Sequence, residues 1–307
     1  MSTAGVVIDR DLKDRIVAFA GSASIEATPH DEERLPELTA LLRPGTTVYV
    51  AHPPRWLLQD VVRVAVKIQQ LGLPARPHIV ARMLQSERQL RTALSELNGA
   101  GIEQILLVAG DAATPVGPYS SSIDVLESGG MLGGGMKTVA VAGHPEGHRM
   151  IAPNRLWEAL RAKQAFAQRT GTRVEVVTQF GFNPRTVIDW RRDCLQRGIA
   201  LEAHIGLAGP TPLPKLIRFA MQCGIGASLR GVRRNAGALK GLAGMTSTPE
   251  EMLTGIIRLG AAGDGLSIVK PHFFCFGGSL DTARWLRKVA DGAFDLNGEC
   301  SGFGVRN

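Results

Sequence analysis

The chain has 307 residues, 44% of them hydrophobic and 21% charged, so it can bury a large core and is no disordered segment. Its formal net charge is +7, yet the basic residues are dispersed apart from Arg230, Arg233 and Arg234, and aromatics make up only 5%. Little is left for base stacking, and an anionic small molecule accounts for the charge as well as nucleic acid does. No run reaches the ~18 consecutive apolar residues of a membrane helix, and the opening MSTAGVVIDRDLKDR lacks a signal-peptide apolar region. The four cysteines, Cys194, Cys223, Cys275 and Cys300, form no CxxC pair. A cytoplasmic protein with reduced thiols is expected.

Short β-branched apolar runs alternate with helical patterns along the chain. Ile16–Ala27 contains the first expected strand; the others are Thr46–Ala51, Ala75–Ala81, Gln104–Ala109, Lys137–Gly143, Arg173–Gly181, Leu201–Leu207 and Leu266–Phe274. Helices are expected over His30–Leu42, Trp56–Leu71, Arg88–Leu97, Pro153–Arg169, Pro184–Gln196, Pro214–Cys223, Thr248–Leu259 and Ser279–Val289. Asp31 and the glutamates after it suit a helix start, as do prolines in a first turn. Eight repetitions of strand and helix predict a single α/β domain, a (βα)8 TIM-type barrel over 1–307. A short extension (about 1–14) would precede it and a tail (about 292–307) would follow. An open doubly wound sheet would carry a glycine fingerprint after an early strand, and none is present. The cluster Gly129-Gly130-Met131-Leu132-Gly133-Gly134-Gly135 reads as a flexible loop. Pro115–Met136 and Arg230–Thr248 are candidate covering loops.

In such a barrel the chemistry sits at the C-terminal strand ends. Several strands here end in polar residues: Glu26, His52, His78, Asp111, His144 with His148, Gln179, and near the last end His272. Each alone is a weak signal, since a lone carboxylate is about as often a loop hydrogen-bonder and a lone histidine is more often structural. Their convergence on one rim carries the argument, and two carboxylates in different environments can divide acid and electrostatic roles. A metal site from His78, His144 and His148 has no HxH or HExxH to support it, and no metal is expected.

The motifs Ser24-Ile25-Glu26, Pro77-His78, Gly110-Asp111, His144-Pro145-Glu146-Gly147-His148 and Thr178-Gln179-Phe180 come in order and at barrel spacing. Together they resemble the methylenetetrahydrofolate reductase family over about Ser24 to Ala290. The family reads Ser-Phe-Glu at the first motif and Tyr-Pro-Glu-x-His at the fourth. Ala27-Thr28-Pro29-His30, Ala51, Ala109 and His144 depart from the family pattern, mostly at positions that touch flavin there. The resemblance implies reduction of 5,10-methylenetetrahydrofolate to 5-methyltetrahydrofolate with NAD(P)H, through FAD. Relatives that transfer hydride directly from the nicotinamide are a second possibility. It implies that Glu26 is the general acid and contacts substrate, and that Asp111 stabilises the cation and orients the flavin. Gln179 would bind the pterin with Phe180 packed beside it. His78, Gly110, Asp111, Tyr119, His144, His148 and Lys163 would contact the cofactor, Lys163 at its phosphates. The same site run in reverse, as a 5-methyltetrahydrofolate oxidase, and a non-catalytic folate-binding subunit stay open. The partners expected are a folate and further copies of the chain, with neither nucleic acid nor membrane.

Overall fold

The computed structural model describes residues 3–133, 135–223, 225, 246–260, 266 and 268–306. Eight strands run parallel and close into a barrel. They are β1 (Ser24–Ala27), β2 (Val48–Val50), β3 (Ala75–Val80), β4 (Gln104–Val108), β5 (Thr138–Gly143), β6 (Arg173–Phe180), β7 (Glu202–Ala208) and β8 (Ile268–Phe274). Each pairs with its neighbour in sequence, and β8 closes on β1 with Ser24 level with His272. Each falls within its expected segment, to within a residue at the ends, so the (βα)8 barrel read from the sequence is the fold.

The helices are α1 (Thr3–Gly21), α2 (Leu35–Leu41), α3 (Leu58–Gln70), α4 (Glu87–Gly99), α5 (Ser122–Leu126), α6 (Gly129–Leu132), α7 (Pro153–Thr170), α8 (Pro184–Gln196), α9 (Leu213–Gln222), α10 (Glu250–Gly260) and α11 (Ser279–Ala290). Their apolar stripes meet the outward faces of the strands. In α3, Val61, Val62, Ala65 and Ile68 are fully buried at helical spacing. Pro184 opens α8 behind Asn183, whose side chain accepts the Arg185 N–H, so both ends match the expected span.

Three local expectations change. The helix expected from His30 starts as a 3-10 turn, Pro29–Arg34, because Asp31 Oδ2 accepts from both the N–H and the hydroxyl of Thr28 at 2.8 Å. Its other oxygen accepts from Ser279 Oγ at 2.6 Å, which ties this loop to the start of α11. The glycine cluster is no loose loop at its start: Gly129–Leu132 forms a helical turn whose N–H at Met131 is accepted by Ser128. A Cβ at Gly130 would lie 3.1–3.3 Å from side-chain atoms of Glu87, Arg91 and Leu90, so glycine lets the turn lie close on α4. Finally, Ile16 belongs to α1, where Leu12, Ile16 and Ala20 form one buried stripe. That helix packs on α10, α11 and β8, with Lys13 Nζ donating to Phe294 O and Arg15 Nη2 to Ile257 O. Most of the loop expected over Arg230–Thr248 lies outside the described residues. Its last part, Thr246–Ser247, pairs antiparallel with Thr211–Pro212. A second antiparallel pair, Phe294–Leu296 with Phe303–Val305, follows α11. Among the described residues no helix is long and apolar enough to cross a membrane.

Candidate active site

The barrel interior is polar at its base. Arg76 on β3 donates through Nη1 to Tyr49 OH and to Glu175 Oε2, each at 2.7 Å, and through Nη2 to Gln104 Oε1 at 2.6 Å. Arg173 Nε closes on the other Glu175 oxygen at 3.0 Å. His204 Nε2 stands 3.4 Å from Glu175 Oε2. Above this base Tyr49, Leu106, Ala140 and Val177 pack across the interior with Val108 beside them.

Glu26 stands above that layer, at the C-terminal end of β1. Its side chain is 12% exposed, which leaves it a face on the rim. Two imidazoles approach the same oxygen, Oε1: His78 Nε2 from β3 at 3.7 Å and His272 Nε2 from β8 at 3.9 Å. Neither nitrogen has a hydrogen-bond partner among the described residues. Burial pushes the Glu26 carboxyl up to about 7, against a small opposing pull from His78. Burial pushes His78 down to about 4, with Glu26 pulling it up and His272 and His52 down. It pushes His272 down to about 3, helped by Arg76 and Lys270. A carboxylate–imidazolium pair would need the histidines to hold protons more tightly than the glutamate does. The order is inverted, so a neutral acid flanked by two neutral imidazoles is the stable arrangement from about pH 4 to about pH 7.

Asp111 enters from β4 through a steric requirement. Gly110 has φ +89°, and a Cβ there would sit 2.4 Å from Val80 Cγ1. The chain turns on that glycine and presents Asp111 to solvent. Arg82 then fastens the following loop, donating to Ala112 O at 2.6 Å and Ser120 O at 2.8 Å. Asp111 and Glu26 both face the Cys223 thiol, which burial pushes up to about 11 with their charges adding to the rise. Both carboxyl groups thus act on one thiol, from the C-terminal ends of β1 and β4.

Gln179 lies at a register shift of β6 against β7, between Val177 and Phe180. Thr178 Oγ1 holds the shift, accepting from Gly206 N at 2.8 Å and donating to Gln179 O at 2.9 Å. A Cβ on Gly206 would fall 2.3 Å from Thr178 O, so this close approach needs glycine. Gln179 Nε2 donates to Cys223 O at 3.4 Å, while its Oε1 is buried without a partner among the described residues. Phe180 is 3% exposed and packs with Leu216, Ala220, Phe274 and Phe276, forming the wall that seats α9.

Three of the remaining residues, His144, His148 and Lys163, cluster after β5. The rings of His144 and His148 meet edge to face at 5.3 Å. Burial pushes His144 down to about 3, with Lys163 and His148 adding. His148 is lowered mainly by burial, while Asp111 pulls the other way; its Nδ1 accepts from Met150 N at 3.2 Å. Lys163 lies on the core-facing stripe of α7 between Leu160 and Phe166. Burial alone pushes it down to about 8, and no carboxylate among the described residues lies within ion-pair distance of it. A cavity of about 430 Å³ opens beside His144, lined by Pro145, Leu156, Trp157, Leu160 and Trp190. Tyr119 is 5% exposed in the apolar core, its hydroxyl unpaired among the described residues.

No family model matches the chain. Among solved structures the chain is similar to a dihydropteroate synthase of Thermus thermophilus, at 13% identity and a TM-score of 0.41, over 85% of this chain and 90% of that one.

The structure thus brings Glu26 and His78 together, sets Asp111 and Gln179 beside Cys223, and gathers His144, His148 and Lys163 into a second group. Among the described residues no three His, Cys, Asp or Glu side chains are arranged to hold a metal, so the triple His78, His144 and His148 is not assembled. Strand-end reading missed Tyr49, Arg82 and the roles of Ser24 and His272. A signal for His272 was present: in a closed barrel the last strand borders the first, and polar residues on both point to one layer.

Proposed function

We propose that the chain is an enzyme that reduces 5,10-methylenetetrahydrofolate to 5-methyltetrahydrofolate with NAD(P)H. The observation that carries this reading is the Glu26 carboxyl, held protonated to about pH 7 by burial and open to the rim at 12% exposure. Opening the five-membered ring of the substrate needs a proton at the departing nitrogen and leaves a 5-iminium cation. An acid whose proton is retained at neutral pH meets that need. Asp111, exposed at the same rim, would face the cation. The unpaired Gln179 Oε1 would accept from a pterin N–H, relieving a buried acceptor. Phe180, locked in its aromatic wall, would bound the pterin rather than stack freely on it. Hydride then reaches the exocyclic methylene, and the product carries a methyl group on N5.

The residues also fit FAD. Lys163 is a buried cation without a carboxylate in reach among the described residues, suited to a phosphate, and the unpaired His78 Nε2 and Tyr119 hydroxyl are suited to polar edges of a heterocycle. His78, Gly110, Asp111, Tyr119, His144, His148 and Lys163 would hold it. Bound FAD would supply the two-electron relay between nicotinamide and folate.

The test is anaerobic oxidation of NADH or NADPH that depends on methylenetetrahydrofolate, with absorption spectra before and after adding FAD. Glu26→Gln is expected to cut turnover by about 100- to 1000-fold and keep ligand binding. Wild-type protein that oxidises neither nucleotide with this folate, or a Glu26→Gln variant that turns over near the wild-type rate, would sink the reading. A colourless protein that stays colourless with FAD, yet turns over, would move the proposal to direct hydride transfer.

A further inference from the structure

Ser24 and Glu26 share the inward face of β1, and Ser24 is level with His272 across the closure with β8. Ser24 is fully buried, and its hydroxyl lies 3.0 Å from His272 Nδ1, its one side-chain hydrogen bond among the described residues. A buried hydroxyl that donates to nothing loses a hydrogen bond it had in water, so this proton belongs on the line to Nδ1. His272 is itself fully buried and neutral at physiological pH. With Nδ1 accepting, its single proton sits on Nε2, the atom that faces Glu26 Oε1 at 3.9 Å and has no hydrogen-bond partner among the described residues.

We propose that His272 is a positioning residue for the Glu26 acid, fixed by Ser24 in the Nε2–H tautomer so that it presents a donor to the carboxylate left when Glu26 gives up its proton. The inference rests on Glu26 acting as the acid of the proposed reaction. At 3.9 Å the donor is out of hydrogen-bond range of the resting carboxyl, and a side-chain movement of about 1 Å brings the ionised form within it. The arrangement leaves the acid neutral at rest and strengthens it as the proton departs. It is no nucleophilic triad, because Ser24 has no exposed surface and bonds the ring from the side away from Glu26.

Other groups act on this pair from every side. On Glu26 they are His78 from β3, Tyr49 from β2, and Cys275 and Cys223 after β8 and α9. On His272 they are Arg76, Lys270, and the neutral His78 and His204. None of these changes when Ser24 is replaced. Ser24→Ala releases the tautomer and lets a lone pair face Glu26, which disfavours the carboxylate.

The experiment needs no folate. Nitrogen-15 NMR of histidine-labelled wild-type protein is expected to show neutral His272 protonated on Nε2. The Glu26 titration, read from its carboxyl stretch by difference against Glu26→Gln, is expected to rise by about one pH unit in Ser24→Ala and to stay near wild type in Ser24→Thr, which keeps the hydroxyl. In turnover, Ser24→Ala is expected to lower kcat roughly tenfold with KM unchanged. A wild-type His272 protonated on Nδ1, or a Glu26 titration unmoved in Ser24→Ala, overturns the proposal. Absence of turnover in wild type with the spectroscopic results as expected overturns the folate reading and leaves the tautomer assignment standing.

Discussion

Two buried glutamates stand in one barrel and meet opposite surroundings. Glu175, at the base, is bracketed by the guanidinium groups of Arg76 and Arg173. Glu26, at the rim, has no lysine or arginine within ion-pair distance among the described residues and two uncharged imidazoles instead. Both are carboxyl groups on inward-facing strand positions, so residue type does not separate them. The base offers paired charge that fixes the interior, and the rim offers an uncompensated acid. The same contrast divides the cations, since Arg76 is bonded to three side chains while Lys163 is buried among apolar neighbours.

The comparison is broken most severely at the base. Arg76→Met removes the inner partner of Glu175 and strips bonds from Tyr49 and Gln104. It is expected to lower unfolding free energy by ~3 kcal/mol in chemical denaturation, because one half of a buried pair remains. At the rim the corresponding change strikes chemistry instead of stability. Glu26→Gln is expected to cut folate-dependent turnover by about 100- to 1000-fold, with the melting temperature at neutral pH maintained or raised. A Glu26→Gln variant that unfolded like Arg76→Met would erase the distinction.

A pH series sharpens it further. The folded-state value for Glu26 is raised from 4.5 to about 7. Its stabilising contribution is therefore fully present below about 4.5 and is lost as pH rises through about 7. Stability of wild type relative to Glu26→Gln should fall across that window, by up to ~3 kcal/mol, and be flat outside it, in paired denaturation curves. The histidines run the other way, with folded values pushed below 6.5, so both proteins should weaken together on acidification below that value. The smallest effect is expected at Lys163. Replacing it with Met should leave stability unchanged or raise it by about 1 kcal/mol, since no partner charge is stranded. Affinity for FAD, followed by flavin fluorescence, should fall roughly tenfold.

The strands and most helices could be read along the chain because each announces itself locally. Arg173–Phe180 is a β-branched run with a polar end, and α8 has an Asn and a Pro at its start. Glu26, Asp111 and Gln179 were visible for the same reason, as polar residues where apolar strands stop. What escaped is what depends on distant parts meeting. Arg76 and Glu175 are charges inside strands, and only closure of the barrel shows that they pair. His272 gains its meaning from Ser24 on a strand at the other end of the chain, level with it only after the sheet closes. The helical turn at Gly129–Leu132 was hidden because its glycines serve close packing on α4, while glycine-rich sequence by itself signals a loop.

The seam between β8 and β1 has a consequence in time. Glu26 is among the first residues of the barrel to be synthesised, and His272 arrives with the last strand. Until then the carboxyl lacks the wall that excludes water from it, and with it the burial that raises its titration. A growing polypeptide therefore carries every other rim residue without the poised proton, which appears in a single event as the final strand docks.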